Sequence, residues 1–185
     1  GSLPESTAFV LYSGDQMRTQ GEDIAEILWL MGLRPQWLSD HSDKVVGLEV
    51  IPLSELGRPR LDVVSRISGL LRDTFPTLIT LLDEAVRLVL SLDESPENNW
   101  VKKHYEEELE QLQAEGIDPE TARQEAALRV FGCPPGTYGG GVAILVETKQ
   151  WQSSDDLGET AITWGCHAYS QELHGRVSRD AFERK

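Results

Sequence analysis

The sequence predicts an α/β fold, in which a small, mostly parallel sheet is flanked by helices and the C-terminal half is rich in helix. Three observations support this prediction. Short apolar runs at residues 8–12, 45–51 and 62–67 are typical of buried strands. Helical periodicity follows the first and third runs, as expected for parallel strands that are joined by helices. Beyond residue 98, the apolar positions recur mainly at helical spacing.

The first helix follows the first strand closely. Apolar side chains recur three and four positions apart from Ile24 to Met31, and Gly32 ends the pattern. Glu22 and Asp23 suit the first turn of this helix, where carboxylates face the positive end of the helix dipole.

The middle of the chain contains a short helix and a long one. Pro52 closes the second strand, and Ser54 can cap a helical turn that ends at Gly57. The apolar pattern from residue 71 to residue 89 predicts a helix about 30 Å or more in length. Pro76 fits this helix only in its first turn or at a kink.

The C-terminal half begins with an acidic amphipathic helix over residues 98–114. The pair Asp118-Pro119, a cap followed by proline at the first helical position, predicts a helix that runs to about residue 130. Residues 142–146 stay ambiguous, because their β-branched content favours a strand and their length does not decide. The serine pair at residues 153–154 can cap a last helix that extends to about residue 169.

Composition and charge disfavour several classes of partner. The net charge of −14 argues against nucleic acid, whose phosphates need clustered Lys and Arg, and against an anionic membrane surface. No apolar run approaches the ~20 residues of a membrane span, and no signal peptide is evident. Because Cys133 and Cys166 do not make a disulfide framework, we expect a cytoplasmic protein.

The chain divides into three parts. Residues 1–2 are typical of a cloning remnant, residues 3–94 are expected to form an α/β core segment, and residues 95–185 a helical segment packed on it. Since the sequence does not begin with methionine, we interpret it as a piece of a longer protein.

A first polar cluster lies where the first strand should give way to the first helix, and it contains Arg18, Glu22 and Asp23. One interpretation is a capping arrangement with a salt bridge at the start of the helix. The other is a site at the carboxyl end of a strand, where α/β proteins bind ligands or neighbouring domains.

A second polar cluster surrounds the third strand. It contains four arginines and two aspartates, namely Arg58, Arg60, Arg66, Arg72, Asp62 and Asp73. These residues could form an internal ion-pair lattice. They could equally form a carboxylate-binding patch, because guanidinium groups match carboxylates in bidentate geometry. A ligand with several carboxylates would suit such a patch.

Other kinds of site have less support. The loop at residues 133–141 is similar to a phosphate cradle in its glycine content, but no Lys-Ser/Thr pair follows and no GxGxxG motif is present. The histidines and cysteines lack HExxH or CxxC spacing, and no Ser-His-Asp or Cys-His set is supported. We therefore predict no metal site and no cofactor bound by this segment. The histidines are His41, His104, His167 and His174.

Four blocks in order resemble one protein family. They read MRTQGEDIAEILWLMG, LSELGRPRLDVVSRISGLLRDTFP, LDESPENNWVKKH and RVFGCPPGTYGGGV. Together they are similar to the large subunit of ATP-dependent tetrapyrrole chelatases, which comprises the cobaltochelatase large subunit and the magnesium chelatase H subunit. The resemblance spans residues 9–169, and the chain is identified as an internal fragment of such a subunit.

The resemblance implies a function that composition does not. The family's large subunit binds a tetrapyrrole, into which Co²⁺ or Mg²⁺ is inserted as substrate, while separate AAA+ subunits hydrolyse ATP. The expected partners are therefore the tetrapyrrole, the AAA+ subunits and the remaining domains of the parent subunit. The loop at residues 134–139 is more similar to the cobalt branch than to the magnesium branch, where this loop contains less Pro and Gly.

The catalytic residues of the family cannot be placed on this segment from the sequence. The matched polar residues are expected to face a ligand or a domain interface, and they are Arg18, Glu22, Asp23, Arg58, Arg60, Asp62, Arg72 and Asp73.

Three functional hypotheses follow. The segment could be part of the metal-inserting enzyme, or a docking module that contacts neighbouring domains or AAA+ subunits. A stand-alone nucleotide-binding domain is the third hypothesis, and it predicts stabilisation by ATP. We expect the fragment to be inactive alone.

Overall fold

The computed structural model describes residues 3–39 and 44–185, so the predictions for residues 1–2 and for His41 lie outside the described residues. The strands are β1 (Ser6–Leu11), β2 (Leu33–Trp37), β3 (Val45–Val50), β4 (Asp62–Ile67), β5 (Val130–Gly132), β6 (His167–Tyr169) and β7 (His174–Val177).

The helices were predicted in part, and their observed bounds follow. They are α1 (Ser13–Thr19), α2 (Glu22–Leu30), α3 (Leu53–Leu56), α4 (Gly69–Thr74), α5 (Pro76–Leu90), α6 (Trp100–Ala114), α7 (Pro119–Ala126), α8 (Val142–Glu147), α9 (Ser154–Gly165) and α10 (Arg179–Arg184). Within the described residues, no helix combines the length and apolar character needed to cross a membrane.

A five-stranded sheet organises the chain, with strand order β1-β4-β5-β6-β7. β1, β4 and β5 run parallel, and β6 and β7 continue the sheet antiparallel. β2 and β3 form a separate antiparallel pair. The predicted α/β class, with a parallel core and flanking helices, is confirmed. Strands from residues 130–177 extend the same sheet, and the division near residue 94 stays a prediction.

Two expectations about the middle of the chain were wrong. The long helix is broken at Phe75, whose backbone leaves the helical region, and Pro76 starts α5 at its first position. α5 therefore has 15 residues, or about 22 Å at 1.5 Å per residue. Ser54 does not cap α3, because Pro52 holds the cap position. Gly57 ends α3 as predicted, with a φ of 68°.

The C-terminal helices are shorter than the local pattern predicts. Asp118 caps α7 by accepting a hydrogen bond from Thr121, but the helix stops at Ala126 because residues 130–132 pair with β4. Ser153 caps α9 as expected, yet residues 167–169 form β6. Backbone hydrogen bonds to the sheet therefore replace the last turns expected for these helices. The ambiguous segment at residues 142–146 belongs to helix α8.

The main core lies between one face of the sheet and helices α2 and α5. Leu11, Val63 and Ile67 from the sheet are buried against helix residues such as Ile27 and Val89. On the opposite face, α10 covers the sheet only in part, with a smaller apolar cluster on β5 and β6. The β1 end of this second face remains exposed, as the 56% exposure of Val10 shows.

A completely buried arginine joins the elements around this core. Arg60 donates from Nε and Nη2 to the Glu94 carboxylate at 2.7 and 2.8 Å. Its remaining hydrogen bonds go to the carbonyls of Met31, Gly32 and Ile51. One guanidinium thus connects the end of α2, the residue after β3, the segment after α5 and the start of β4.

Gly32 makes room for this guanidinium. Its φ of +73° favours glycine, and a Cβ at this position would overlap Nη1 of Arg60. Glycine is therefore required at position 32, just after α2, for two reasons: the backbone conformation and the close packing of Arg60.

Replacing Arg60 with Met should strongly destabilise the chain. The variant removes the Arg60 hydrogen bonds from the Glu94 carboxylate and from three carbonyls. Breaking a buried ion pair costs about 3–5 kcal/mol. Urea unfolding followed by circular dichroism measures the change. Arg18→Met, which alters an exposed arginine, is the control. Equal stabilities of the two variants would contradict the role assigned to Arg60.

Candidate functional site: a cleft at the carboxyl ends of the parallel strands

A cleft of about 510 Å³ opens where the three parallel strands end. Its lining residues come from the ends of β1 and β4, from the first residues of α1 and α4, and from the loop after β5. They are Val10, Tyr12, Ser13, Gly14, Arg66, Ile67, Ser68, Gly69, Leu70, Cys133, Tyr138, Gly139 and Gly140. In open α/β sheets this edge is where ligands bind, because loops from several strands meet there.

Close packing holds the floor of the cleft. Ser68 caps α4 by accepting a hydrogen bond from the Leu71 amide at 3.2 Å. Gly69 follows, and a Cβ at this position would overlap the carbonyl oxygen of Thr137. The start of α4 can therefore pack directly on the loop that follows β5, which only glycine permits.

Arg66 provides the one charged side chain among the described residues that line the cleft. It lies in β4, the middle of the three parallel strands, beside Val10 of β1 and Phe131 of β5. Its guanidinium packs closely on backbone, since a Cβ at Gly165 would lie 3.2 Å from its Cζ and one at Gly140 3.5 Å from Nη2. In the described part of the chain, this guanidinium has no hydrogen-bond or ion-pair partner.

Arg72 anchors the loop that forms one wall of the cleft. This buried guanidinium binds both carboxylate oxygens of Asp73, at 2.6 and 2.8 Å, and donates to the carbonyls of Pro134 and Thr137. The hydrogen bond from Arg72, followed by the one from Tyr138, lowers the pKa of Asp73 to about 2. The Asp73 carboxylate in turn raises the pKa of Arg72. The wall is therefore held by charges that persist across the physiological pH range.

Aromatic and aliphatic side chains form the rim. Tyr138 is 60% exposed, and its hydroxyl donates to Asp73 at 2.9 Å. Tyr12 and Leu70 are also more than half exposed. Ser13 is almost fully buried, and its hydroxyl has no hydrogen-bond partner among the described residues. An apolar rim, a free guanidinium and an unsatisfied hydroxyl therefore occur together.

The first polar cluster does not assemble around the cleft. Arg18 is exposed and pairs with Asp15 at 3.2 Å. Asp23 accepts a hydrogen bond from Gln16 at 2.6 Å, whereas the backbone amide of Glu22 donates to Thr19 at 3.3 Å. The hydrogen bonds of Asp23 and Glu22 connect α1 to α2. Arg18 pairs within α1, so the salt bridge between Arg18 and the start of α2 does not form.

Arg58 is occupied by the protein itself. Its guanidinium stacks on Trp29 at 4.3 Å from the ring centroid and donates to the carbonyls of Trp29, Leu30 and Pro59. Burial, reinforced by the charge of Arg60, lowers the pKa of Arg58. The side chain caps the C-terminal end of α2, where unpaired carbonyls favour a cation.

Asp62 lies at the other end of β4 from the cleft. Its carboxylate accepts hydrogen bonds from Arg129 at 2.7 Å and from His104 at 2.9 Å. Burial alone would raise the pKa of Asp62, but Arg129 and His104 hold it below its ordinary value. The hydrogen bond to Asp62 raises the pKa of His104, and Glu5 adds to this effect.

The ion pairs thus form with partners that the sequence did not predict. Arg60 pairs with Glu94, and Asp62 pairs with Arg129; only Arg72 and Asp73 pair as the lattice interpretation expected. Of the eight predicted residues, only these last two adjoin the cleft. The assignment of all eight to a ligand or domain interface stays a prediction.

Arg66 was grouped with the other arginines but was not among the eight. A signal for it existed in the two-residue period of β4: Val63, Ser65 and Ile67 are buried, whereas Val64 and Arg66 point to the other face. Arg66 therefore lies near the carboxyl end of a parallel strand, on the face away from the main core, where a charged side chain is a candidate ligand-binding group. Its lack of a partner could only come from the tertiary structure.

The described residues include no group of three or more His, Cys, Asp or Glu side chains arranged to bind a metal ion. Cys133 and Cys166 are both buried and free. Burial raises the pKa of the Cys166 thiol.

These features define an α/β protein with a cleft at the carboxyl edge of its parallel strands. The family model described as CobN/Magnesium Chelatase matches residues 1–185. The chain therefore belongs to the CobN/magnesium chelatase family, which confirms the resemblance.

Relatives agree with this assignment. An uncharacterized protein of Methanocaldococcus jannaschii is 47% identical over 98% of the chain, and this match covers 15% of that protein. Aerobic cobaltochelatase subunit CobN of Sinorhizobium is 41% identical over the whole chain and 14% of its own length. The solved catalytic subunit of cobaltochelatase from Mycobacterium tuberculosis superposes with a TM-score of 0.88 at 42% identity, covering 99% of this chain and 15% of that one. The chain thus spans about one seventh of the length of these proteins.

The Asp62–His104 pair gives a prediction about pH. Because the pKa of His104 is raised in the folded chain, its stabilising effect is full below its ordinary pKa of about 6.5 and is lost as pH rises through the raised value. The difference in free energy of unfolding between wild type and His104→Gln should therefore shrink as pH rises from about 6 through the raised pKa of His104. Urea unfolding at a series of pH values measures it.

Exposed His174, whose ring lies against Tyr169, gives a matched control variant, His174→Gln. A constant difference between wild type and His104→Gln across this pH range would contradict the predicted coupling.

Proposed function

We propose that this chain is the part of a chelatase large subunit that holds the tetrapyrrole, at the cleft formed by β1, β4 and the loop after β5. In this proposal the complete subunit inserts Co²⁺ or Mg²⁺ as substrate, and separate AAA+ subunits hydrolyse ATP. Family membership and the printed names of the relatives support it. The Pro/Gly-rich loop favours Co²⁺, and the low number of cysteines favours a cytoplasmic location.

The free guanidinium of Arg66 in an apolar cleft is the observation that carries this proposal. A tetrapyrrole has large apolar faces and acidic side chains on its periphery. The cleft has a matching composition, with exposed tyrosine and leucine side chains and one cation, Arg66, among its lining residues. Its volume of about 510 Å³ lies within the range typical of small-molecule sites, and it suffices for one edge of the macrocycle.

The lining also limits what this segment can do. Metal insertion requires that the ion lose water and that two pyrrole nitrogens lose their protons, for which carboxylates or imidazoles are suitable acceptors. None of the described residues that line the cleft is Asp, Glu or His. The segment therefore positions the macrocycle, and the proton acceptors belong to other parts of the subunit.

The isolated chain should consequently bind a macrocycle without inserting metal. Incubation with deuteroporphyrin and Co²⁺ or Mg²⁺ should give the uncatalysed rate of metalloporphyrin formation, which absorption spectroscopy follows. Metal insertion faster than in a control without protein would refute the positioning role.

Filling the cleft should abolish macrocycle binding. Gly14 lines the cleft, and a Cβ at this position would meet no atom within 4 Å. Gly14→Leu therefore adds a side chain without a backbone clash, and we expect at least a tenfold weaker Kd for deuteroporphyrin, measured by fluorescence titration.

Gly158→Leu is the matched control, because Gly158 also lies in a helix with open space around its Cβ and is not among the lining residues. Equal Kd values for the two variants, or no binding by the wild-type chain, would exclude the cleft as the tetrapyrrole site.

A docking module is the second candidate function, and the exposure of α8 favours it. This helix has no buried residue, and Ile144 and Val146 are 57% and 46% exposed. Exposed apolar side chains grouped on one element mark interaction surfaces. The neighbouring domains of the subunit or the AAA+ subunits are the partners in this hypothesis.

The double variant Ile144→Asp/Val146→Asp separates the two functions when it is placed in a complete subunit. Loss of AAA+ assembly with retained porphyrin binding would assign docking to α8. Loss of porphyrin binding with normal assembly would instead assign α8 to the ligand site.

A further inference from the structure

We propose that Arg66, assisted by Ser13, forms a subsite for one peripheral carboxylate of the macrocycle. This inference rests on the proposed function, since it assigns a part of the ligand to particular side chains of the cleft. Nothing in the family assignment or in the names of the relatives distinguishes these residues.

The charge state of the site is the first argument. Arginine stays protonated in proteins, so Arg66 brings a permanent positive charge to a largely apolar cleft. None of the described lining residues is acidic, so the lining itself supplies no counter-ion. An anionic ligand group is the partner that matches this charge.

The other guanidiniums near the sheet show that Arg66 is exceptional. Arg60 is bound by Glu94, Arg72 by Asp73 and Arg129 by Asp62, and each also donates to backbone carbonyls. Arg58 donates to three carbonyls and stacks on Trp29. The protein therefore supplies hydrogen-bond partners to each of these four guanidiniums, although Nε of Arg58 has none, whereas the guanidinium in the cleft has no protein partner among the described residues.

The orientation of Arg66 is also prepared for a ligand. The guanidinium lies close to Gly165, because a Cβ at this position would lie only 3.2 to 3.5 Å from three of its atoms, and this neighbour limits its movement. A side chain that is already confined loses less conformational entropy when a ligand binds. A planar fork held in place can bind a carboxylate through two parallel hydrogen bonds.

Ser13 supplies an independent observation. The residue is 2% exposed, lines the same cleft, and has a hydroxyl without a partner among the described residues. A buried hydroxyl without a hydrogen bond is unfavourable, because it has lost its water without gaining another partner. A ligand oxygen bound beside Ser13 would supply the partner that this hydroxyl lacks.

Tyr138, on the loop wall that Arg72 anchors, indicates which part of the ligand reaches Arg66. Tyr138 is held by Asp73 and lies 5.9 Å from Arg72, measured from ring centroid to Cζ. Its exposed ring faces suit the apolar surface of a macrocycle. A ligand that packs on this wall presents its periphery, with the acidic side chains, to the base of the cleft.

The test compares two macrocycles that differ only in the charge of their side chains, deuteroporphyrin dicarboxylate and its diamide. The wild-type 185-residue chain should bind the dicarboxylate at least tenfold more tightly. Arg66→Gln should weaken dicarboxylate binding by about 10- to 100-fold, the range of a charge-assisted hydrogen-bond pair, and leave diamide binding unchanged.

Further variants sharpen this comparison. Arg66→Lys keeps the charge without the fork and should give an intermediate Kd for the dicarboxylate. Ser13→Ala should weaken dicarboxylate binding several-fold. Arg123→Gln removes an exposed arginine that does not line the cleft, and it should bind both macrocycles as wild type does, which controls for net charge. The melting temperature of Arg66→Gln should stay close to that of wild type, because its guanidinium has no partner to lose among the described residues.

The outcomes distinguish the subsite from the proposed function. If Arg66→Gln weakens the binding of both macrocycles equally, or of neither, the carboxylate subsite is overturned. The cleft can still be the tetrapyrrole site in that case. If the wild-type chain binds neither macrocycle, the proposed function fails together with the subsite.

Discussion

The buried guanidinium of Arg60 is the interaction on which the architecture depends. It joins four separate stretches of chain through Glu94 and the carbonyls of Met31, Gly32 and Ile51. Such an ion is stable in the interior only when all of its donors are satisfied, so the ends of these elements must converge on one point. This convergence holds α2 and α5 against one face of the sheet, where the main core lies.

The arginines of this protein show how similar residues acquire different roles. Arg58, Arg60 and Arg72 each lie among carbonyl groups and carboxylates that the fold supplies, so they stabilise helix ends and loops. Arg66 lies one residue before the end of β4, on the face that the main core does not cover. A charge that the fold does not neutralise is available to a ligand, and this separates a binding group from a structural one.

Several element boundaries could be predicted because their signals are local. β4 has the predicted bounds, and Gly57 and Asp118 end and begin helices as expected, since backbone conformation and capping depend on neighbouring residues. β6 was missed because its three residues have no strand pattern of their own and form a strand only by pairing with β5, far away in the chain, and with β7. The same limit applies to the ion pairs, since Arg129 and Asp62 are 67 positions apart.

The sequence by itself determined the α/β class, the positions of most helices and the family, because periodicity, caps and ordered motif blocks are properties of the chain read in one dimension. Only the tertiary structure decided which polar residues are free. Whether an arginine such as Arg66 can bind a ligand depends on which carboxylates and carbonyls lie around it, and long-range packing sets those distances. The physical reason is that electrostatic and hydrogen-bond interactions act through space, over a few ångströms, regardless of separation along the chain.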